Sequence, residues 1–253
     1  MSEPILSVKD LRKSFGGVRA VDGVSLDVQP RETVALIGPN GAGKTTFYNM
    51  ISGRMKPTAG SVRFQDQDIT GLPPHTISRL GISRSFQINN VFTELSARQN
   101  VEVALTALHR KHFSMFRPAS RNRAIQEEAD AVLERLGLRH LSDTRAGVLS
   151  YGDKRLLEIA IVLATRPSLV LLDEPTAGMT PEETRHVTQL IKSLAASGDY
   201  TFLITEHDMH VVFDLADRIL VMHRGRRLAE GTPEEIKADP EVRQAYLGEE
   251  EVA

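Results

Sequence analysis

Short apolar runs separated by polar turns fill the first part of the chain: ILSV, VSLDV, TVALIG and, after the turn KPTAG, SVRF. Runs of this length, bounded by Gly, Pro and Asp, predict strands. Between TVALIG and SVRF one stretch, GKTTFYNMISG, has helical spacing. From Ser96 to Arg139 the period becomes helical. RNRAIQEEADAVLERLGL sets Ile125, Ala129, Val132, Leu133 and Leu136 on one face, Glu and Arg on the other, and Gly137 closes it. Strands and helices then alternate: SLVLLDE, PEETRHVTQLIKSLAAS, YTFLITE, DMHVVFDLAD and RILVMH. Wholly apolar strands between helices predict an α/β fold with a largely parallel sheet covered on both faces. The tail GEEEVA has no such pattern and is expected to fray.

With 253 residues, 41% hydrophobic, the chain can bury a full core as one large domain or one with a subdomain. Its 31 basic and 33 acidic residues nearly cancel, so nothing global points to nucleic acid. The absence of cysteine excludes disulfides and thiolate metal sites. MSEPILSVKD lacks the basic and long apolar regions of a signal peptide, and apolar runs such as Ile159 to Ala164 are too short to span a bilayer. A soluble, intracellular chain is expected.

The candidate chemistry sits at strand ends. Gly38-Pro39-Asn40-Gly41-Ala42-Gly43-Lys44-Thr45 is a P-loop pattern between a strand and a helix. Its glycines let backbone N–H groups turn toward phosphates, Lys44 would pair with the β- and γ-phosphates, and the Thr45 hydroxyl would ligate Mg²⁺. Asp173-Glu174 end LVLLDE. Alone, this pair reads as a solvated strand end. Downstream of a P-loop, Asp173 would hold Mg²⁺ through water and Glu174 would polarise the attacking water. Gln87 and His207 also follow predicted strands, GISRSFQ and TFLITEH. If these strands are parallel neighbours, all four features gather on one sheet edge, where such sheets bind ligands. Phe15, in LRKSFGG, is either a base-stacking aromatic or a hydrophobic plug. The turn Ser150-Tyr151-Gly152-Asp153 opens an apolar helix. Ser and Gly there suit an anion, yet Asp153 brings a negative charge to the same place.

In order, these are an aromatic before a Gly pair, the P-loop, a Gln after a strand, an LSxG turn, LLDEP and a strand-end His. The set resembles the nucleotide-binding subunit of an ATP-binding-cassette (ABC) transporter over nearly the whole chain. The resemblance implies a P-loop NTPase (RecA-like) core with an N-terminal antiparallel β subdomain and an inserted α-helical subdomain. As one ABC ATPase domain, residues 1–88 would hold the β subdomain and the P-loop part of the core, and residues 89–165 the helical subdomain. Residues 166–235 would hold the remaining core, and 236–253 a C-terminal helix and tail. It implies ATP and Mg²⁺, with Phe15 on adenine and the loop from Gly38 through Thr46 around the phosphates. Lys44, Glu174, Gln87 and His207 would serve catalysis, Gln87 sensing Mg²⁺ and His207 contacting the γ-phosphate. Ser150, Gly152 and Asp153 stand in the place of the LSGGQ signature, which in that family caps ATP held by the opposite subunit; Asp153 would lie toward the ribose. The implied partners are integral membrane permease subunits, a second ATP-binding subunit and, indirectly, a solute-binding protein. The implied location is the cytoplasmic face of the inner membrane.

Tyr151 and Asp153 depart from the LSGGQ pattern, and Thr180 stands where most members carry Asp. LSYGD, AGMTPEET, EHDM and the ending EGTPEEI…VRQAYLGE resemble the ATP-binding subunits of branched-chain amino-acid importers. Urea-type importers share AGMT and EHDM, and a lipopolysaccharide-export ATPase shares YLGE. A soluble ABC ATPase acting on ribosomes or DNA would carry two cassettes or a long coiled-coil insert, and neither pattern is present. A small-molecule kinase would leave LSYGD and His207 without roles. The stretch His109 to Arg123 holds Arg110, Lys111, Arg117, Arg121 and Arg123 with no acidic residue. It reads as a solvated loop or as a contact with the membrane partner or anionic lipid.

Overall fold

A computed structural model of the protein describes residues 3–85, 91–109 and 123–247. In chain order its elements are β1 (Leu6–Phe15), β2 (Val18–Val28), β3 (Thr33–Ile37), α1 (Lys44–Ile51), β4 (Ala59–Phe64), β5 (Gln67–Asp68), α2 (Pro74–Leu80) and β6 (Ile82–Arg84). There follow α3 (Ala97–Leu108), α4 (Arg123–Arg135), α5 (Tyr151–Ala164), β7 (Leu169–Asp173), α6 (Pro181–Ala196), β8 (Thr201–Thr205), α7 (Met209–Leu215), β9 (Arg218–His223), β10 (Arg226–Gly231) and α8 (Pro233–Ala238).

Six strands make the central sheet, in the order β10-β9-β3-β8-β7-β6, with only β10 antiparallel to its neighbour. Every residue of β3, β7 and β8 is buried, which is why these strands read as unbroken apolar runs. Side chains of β7 and β8 alternate between two cores, while β3 gives Val34 and Leu36 to one of these and Ala35 and Ile37 to a smaller third core. Leu169 and Leu171 join Leu36, Phe47 and Tyr48 on one face, while Val170 and Leu172 join Leu133, Leu157 and Ile191 on the other. The first core is roofed by an antiparallel sheet, order β2-β1-β4-β5. The second is closed by α3, α4, α5 and α6. In α4 the predicted face is the buried one: Ile125, Ala129 and Leu133, with Leu136 just beyond and Val132 at the margin. Gly137, at φ 71°, ends it.

The structure departs from the sequence pattern in three places. β1 and β2 extend far beyond ILSV and VSLDV as one long hairpin, so Phe15 closes β1 rather than following it. β10 is a strand that the pattern did not predict. It is a sheet edge with no fully buried residue, built on a tight turn at Arg224 and Gly225, both at positive φ. A further helix, α8, begins at Pro233 behind a capping box of Thr232 and Glu235, ahead of the expected 236–253, within which helical turns follow at Pro240–Val242 and Arg243–Leu247. Of the basic stretch, residues 110–122 lie outside the described residues. At its ends His109 pairs with Glu128 at 2.8 Å and Arg123 with Glu127 at 2.8 Å.

Candidate functional site

The parallel order β3-β8-β7-β6 aligns the C-terminal ends of four strands. Gly38 follows β3, Asp173 ends β7 with Glu174 after it, and His207 lies just past β8. The expected convergence is therefore present for three of the four features. Gln87 lies outside the described residues.

The loop Gly38–Gly43 passes close to two neighbouring strands. A Cβ on Gly38 would stand 2.0 Å from the Met222 carbonyl oxygen, and one on Gly43 2.3 Å from that of Ala20. Both residues also hold positive φ, 146° and 102°, so no side chain fits either position. The Gly225 N–H donates to the Ala42 carbonyl at 2.9 Å, fixing the loop against the β9–β10 turn. α1 then begins with no side-chain cap and no acidic residue in its first turn. Its leading N–H groups and positive dipole end stay open to an anion. Around this end Asn40, Gly41 and Thr45 are exposed, Pro39 and Thr46 half-buried, and Ala42 buried. The Lys44 ammonium is turned back onto its own loop, donating to the carbonyls of Gly38 and Pro39. Burial lowers its pKa while Glu174 and Asp173 pull it up again. A cation held short of full compensation suits a phosphate.

Asp173 is buried and both its oxygens accept hydrogen bonds, Oδ1 from the Thr205 hydroxyl and Oδ2 from the Arg84 guanidinium, each at 2.6 Å. Arg84 also donates to Asn49 at 2.7 Å and to Ser52 at 3.0 Å, and lies 5.1 Å from the centre of the Tyr48 ring. The buried Tyr48 hydroxyl reaches the carbonyls of Leu172 and Leu203, so α1 is pinned beneath the carboxylates. Glu174 has φ 48°, which turns its side chain out of the strand direction, and its Oε1 accepts from His207 Nε2 at 2.8 Å. Glu206, next to His207 and itself buried, accepts from Thr176 N at 2.8 Å and Thr176 Oγ1 at 2.6 Å, holding the loop after Glu174.

The signature turn packs elsewhere. Ser150 caps α5, its Oγ accepting from Asp153 N at 3.1 Å, and its hydroxyl donates to Asp153 Oδ2 at 2.6 Å. Within this chain the Asp153 carboxylate thus faces Ser150. Gly152 abuts Glu183, where a Cβ would come within 2.7 Å of Oε1, and its N–H helps to hold the Glu183 pKa down after the two Thr180 hydrogen bonds. The Tyr151 hydroxyl donates to the Ala177 carbonyl at 3.0 Å. Thr180 caps α6 through a capping box with Glu183. Phe15 is half-exposed at the hairpin end, 49%, which argues against a core plug.

Family comparison accords with this geometry. The pattern described as "ABC transporter" matches residues 21–177. This chain belongs to the ATP-binding-cassette transporter family. A second pattern, "Branched-chain amino acid ATP-binding cassette transporter", matches residues 226–252. The chain is 44% identical to the high-affinity branched-chain amino acid transport ATP-binding protein LivG of Escherichia coli (strain K12), covering 98% of this chain and 100% of that protein. It is also 39% identical to the lipopolysaccharide export system ATP-binding protein LptB of Acidithiobacillus ferridurans, covering 99% of each. Among solved structures it resembles the ADP conformation of an ATP-binding cassette of an ABC transporter. The TM-score is 0.86 at 35% identity, with 98% and 100% of the two chains covered. A dimeric cassette in a post-hydrolysis state, bound to ADP and Pi, aligns with TM-score 0.76 at 26% identity, over 90% of this chain and 98% of that one. The fold is the ABC ATPase fold, and the chain is an ATPase of that family. Among the described residues no helix is long and apolar enough to cross a membrane.

Arg84, Tyr48, Thr205, Glu206 and Arg155 escaped the sequence reading. Arg84 stands between Ser83 and Ser85, and Arg155 follows Asp153 and Lys154, so neither looks buried from its neighbours in the chain, although both are enclosed in the structure.

Proposed function

We propose that this chain is the ATP-hydrolysing subunit of an importer for branched-chain amino acids. It works as one of two cassettes that close on two ATP molecules and move integral membrane permease subunits, with a solute-binding protein delivering the cargo. That assignment puts it at the cytoplasmic face of the inner membrane. The reading rests chiefly on one arrangement: an uncapped helix start and a partly compensated Lys44 face Asp173, Glu174 and His207 across adjacent strand ends. Identity to LivG along the whole chain, together with the pattern over residues 226–252, favours branched-chain amino acids. The likeness to LptB makes lipopolysaccharide export the second reading.

In this reading Phe15 stacks on adenine, and the N–H groups from Gly38 to Thr46 cradle the phosphates. Lys44 leaves the Gly38 and Pro39 carbonyls to pair with the β- and γ-phosphates. Thr45, Asp173 and Gln87 are hard oxygen donors of the kind Mg²⁺ takes, and each Asp173 oxygen keeps lone-pair capacity beyond its one hydrogen bond. Mg²⁺, when bound, supplies charge neutralisation between phosphates. Glu174 orients the attacking water and accepts its proton, while His207 holds the Glu174 carboxylate and faces the γ-phosphate. Ser150 and Gly152 serve the γ-phosphate in the partner's P-loop, and Asp153 turns from Ser150 toward the ribose. Residues 1–88, 89–165, 166–235 and 236–253 act as the parts of one cassette.

Glu174→Gln tests the core of this. It should bind ATP normally, turn over about 10²–10⁴-fold more slowly, and collect as an ATP-bound dimer in size-exclusion chromatography. Near-normal turnover would remove Glu174 as the base. For the cargo, deletion of the chain's gene should abolish uptake of labelled leucine and spare urea uptake and lipopolysaccharide assembly.

A further inference from the structure

α5 carries the signature turn at its start and, one turn further along, a buried arginine with an unusual set of partners. Arg155 is 8% exposed. Its Nη2 donates to the carbonyls of Asp173 and Glu174, both at 2.7 Å, and its Nε donates to that of Pro175 at 3.2 Å. Nη1 pairs with Glu158 Oε2 at 2.7 Å. One guanidinium thus gathers three consecutive carbonyls at the point where β7 gives way to the following loop. Its rigid fork of donors suits that task, where a point charge such as Lys would not.

The middle residue of the three is Glu174, in the left-handed region at φ 48°. A non-glycine residue keeps such a backbone only when its surroundings over-determine it. Arg155 is one constraint, and the hydrogen bond from Glu174 N to the Thr205 carbonyl at 2.9 Å is another. Tyr151 grips the same segment further on. Its hydroxyl donates to Ala177 O, and the Ala177 N–H in turn donates to the Glu174 carbonyl at 3.2 Å. The ring lies against Gly178, whose Cβ would stand 3.4 Å from the Tyr151 hydroxyl. Tyr151 is 57% exposed, so this hydroxyl contact rather than burial fixes it.

We propose that Arg155 and Tyr151 are positioning residues that tie the signature turn to Glu174, so that the turn serving one nucleotide sets the base that hydrolyses the other. The proposal rests on the two-cassette reading given above. It also gives the departure at Tyr151 a purpose. Thr180 caps α6 with Glu183, whose carboxylate also meets the Gly152 N–H, and the Tyr151 hydroxyl adds a second tie, from the signature turn to the loop after Glu174.

Two variants test it in the full-length chain. Tyr151→Phe removes one hydroxyl from an exposed ring. Arg155→Gln/Glu158→Gln removes the guanidinium without leaving the buried Glu158 carboxylate unpaired, and Glu158→Gln alone is the control that retains the three carbonyl bonds. ATP affinity of the separate subunit should be unchanged in all three. Turnover should fall about 10- to 100-fold in the double variant, the scale of a small misplacement of a reacting group. The Hill coefficient for ATP should drop toward one in the double variant and in Tyr151→Phe, while Glu158→Gln keeps both values. With Glu174→Gln added, both variants should still form ATP-dependent dimers, because the turn itself is intact. Unchanged turnover and Hill coefficient would overturn the proposal. So would loss of those dimers, which would mean that the residues only shape the turn. If Glu174→Gln alone fails to dimerise, the two-cassette reading falls instead.

Discussion

His207 Nε2 donates to Glu174 Oε1 at 2.8 Å, joining the end of β8 to the end of β7. The two strands pair in register, Asp173 opposite Thr205, so the ladder brings together Glu174, one residue past the pair, and His207, two residues past it. Glu174 stands just past the ladder in a left-handed backbone, φ 48°, and the His207 contact reaches its carboxylate from the neighbouring strand end.

His207→Ala should therefore leave ATP binding intact and remove one contact that positions the Glu174 carboxylate. Turnover is expected to fall about 10²-fold, the lower range for a group that places or shares a proton. Steady-state ATPase measurements beside nucleotide titration would separate the two effects. A rise in KM without loss of kcat would put His207 outside the hydrolytic step.

Arg84 and Asp173 form a buried ion pair, with side chains 8% and 6% exposed. Removing one partner of such a pair strands the other charge. Arg84→Met should cost about 3–5 kcal/mol in denaturant unfolding. Because the freed carboxylate then lacks its cation, Mg²⁺ should stabilise the variant more than it stabilises the parent protein. Arg84→Lys, which cannot span Asn49, Ser52 and Asp173 together, should fall between the two.

The sequence made the parallel core legible because inner strands are apolar on both faces, as in LVLLD and TFLIT. The P-loop was legible because Gly38 and Gly43 stand where no Cβ fits, a constraint that sequence spacing exposes directly. β10 was not legible, since an edge strand of Arg, Glu and half-buried residues lacks alternation. The partners of Asp173 were hidden for a different reason. Arg84 and Thr205 reach it from β6 and β8, and only the strand order brings those residues beside β7. Asp153 shows the same limit at short range. The sequence set its charge at a helix start but gave no sign that Ser150 would already occupy it.

Burial raises the pKa of Glu158, outweighing the Arg155 guanidinium beside it. A carboxyl whose folded pKa lies above its unfolded value contributes stability that is complete below the unfolded value, 4.5, and is lost as pH rises through the raised one. The protein should thus gain stability relative to Glu158→Gln as pH falls from neutral toward that value. Chemical unfolding of both proteins across the interval gives the difference directly. A difference that stays flat, or that grows with pH, would contradict burial as the dominant influence on Glu158.

Ser150 and Asp153 exchange two hydrogen bonds, and the two partners should separate on mutation. Ser150→Ala removes the oxygen that caps α5, a loss of about 1 kcal/mol for an N-cap. If Ser150 serves the γ-phosphate of the partner's ATP as proposed, cooperative ATPase activity should fall with it. Asp153→Asn keeps an acceptor for the Ser150 hydroxyl and lifts the negative charge from the turn. Its stability should drop by no more than about 1 kcal/mol, the scale of a charge near a helix end. In the proposed reading Asp153 meets the ribose rather than the phosphate, and an amide oxygen can still accept a hydroxyl hydrogen bond there, so the Glu174→Gln protein carrying Asp153→Asn should dimerise at about the same ATP concentration. Asp153→Arg reverses the charge and ends the acceptor role at once, and it should abolish cooperative hydrolysis while the fold persists. If cooperativity survives that change, the turn is a helix cap and nothing more.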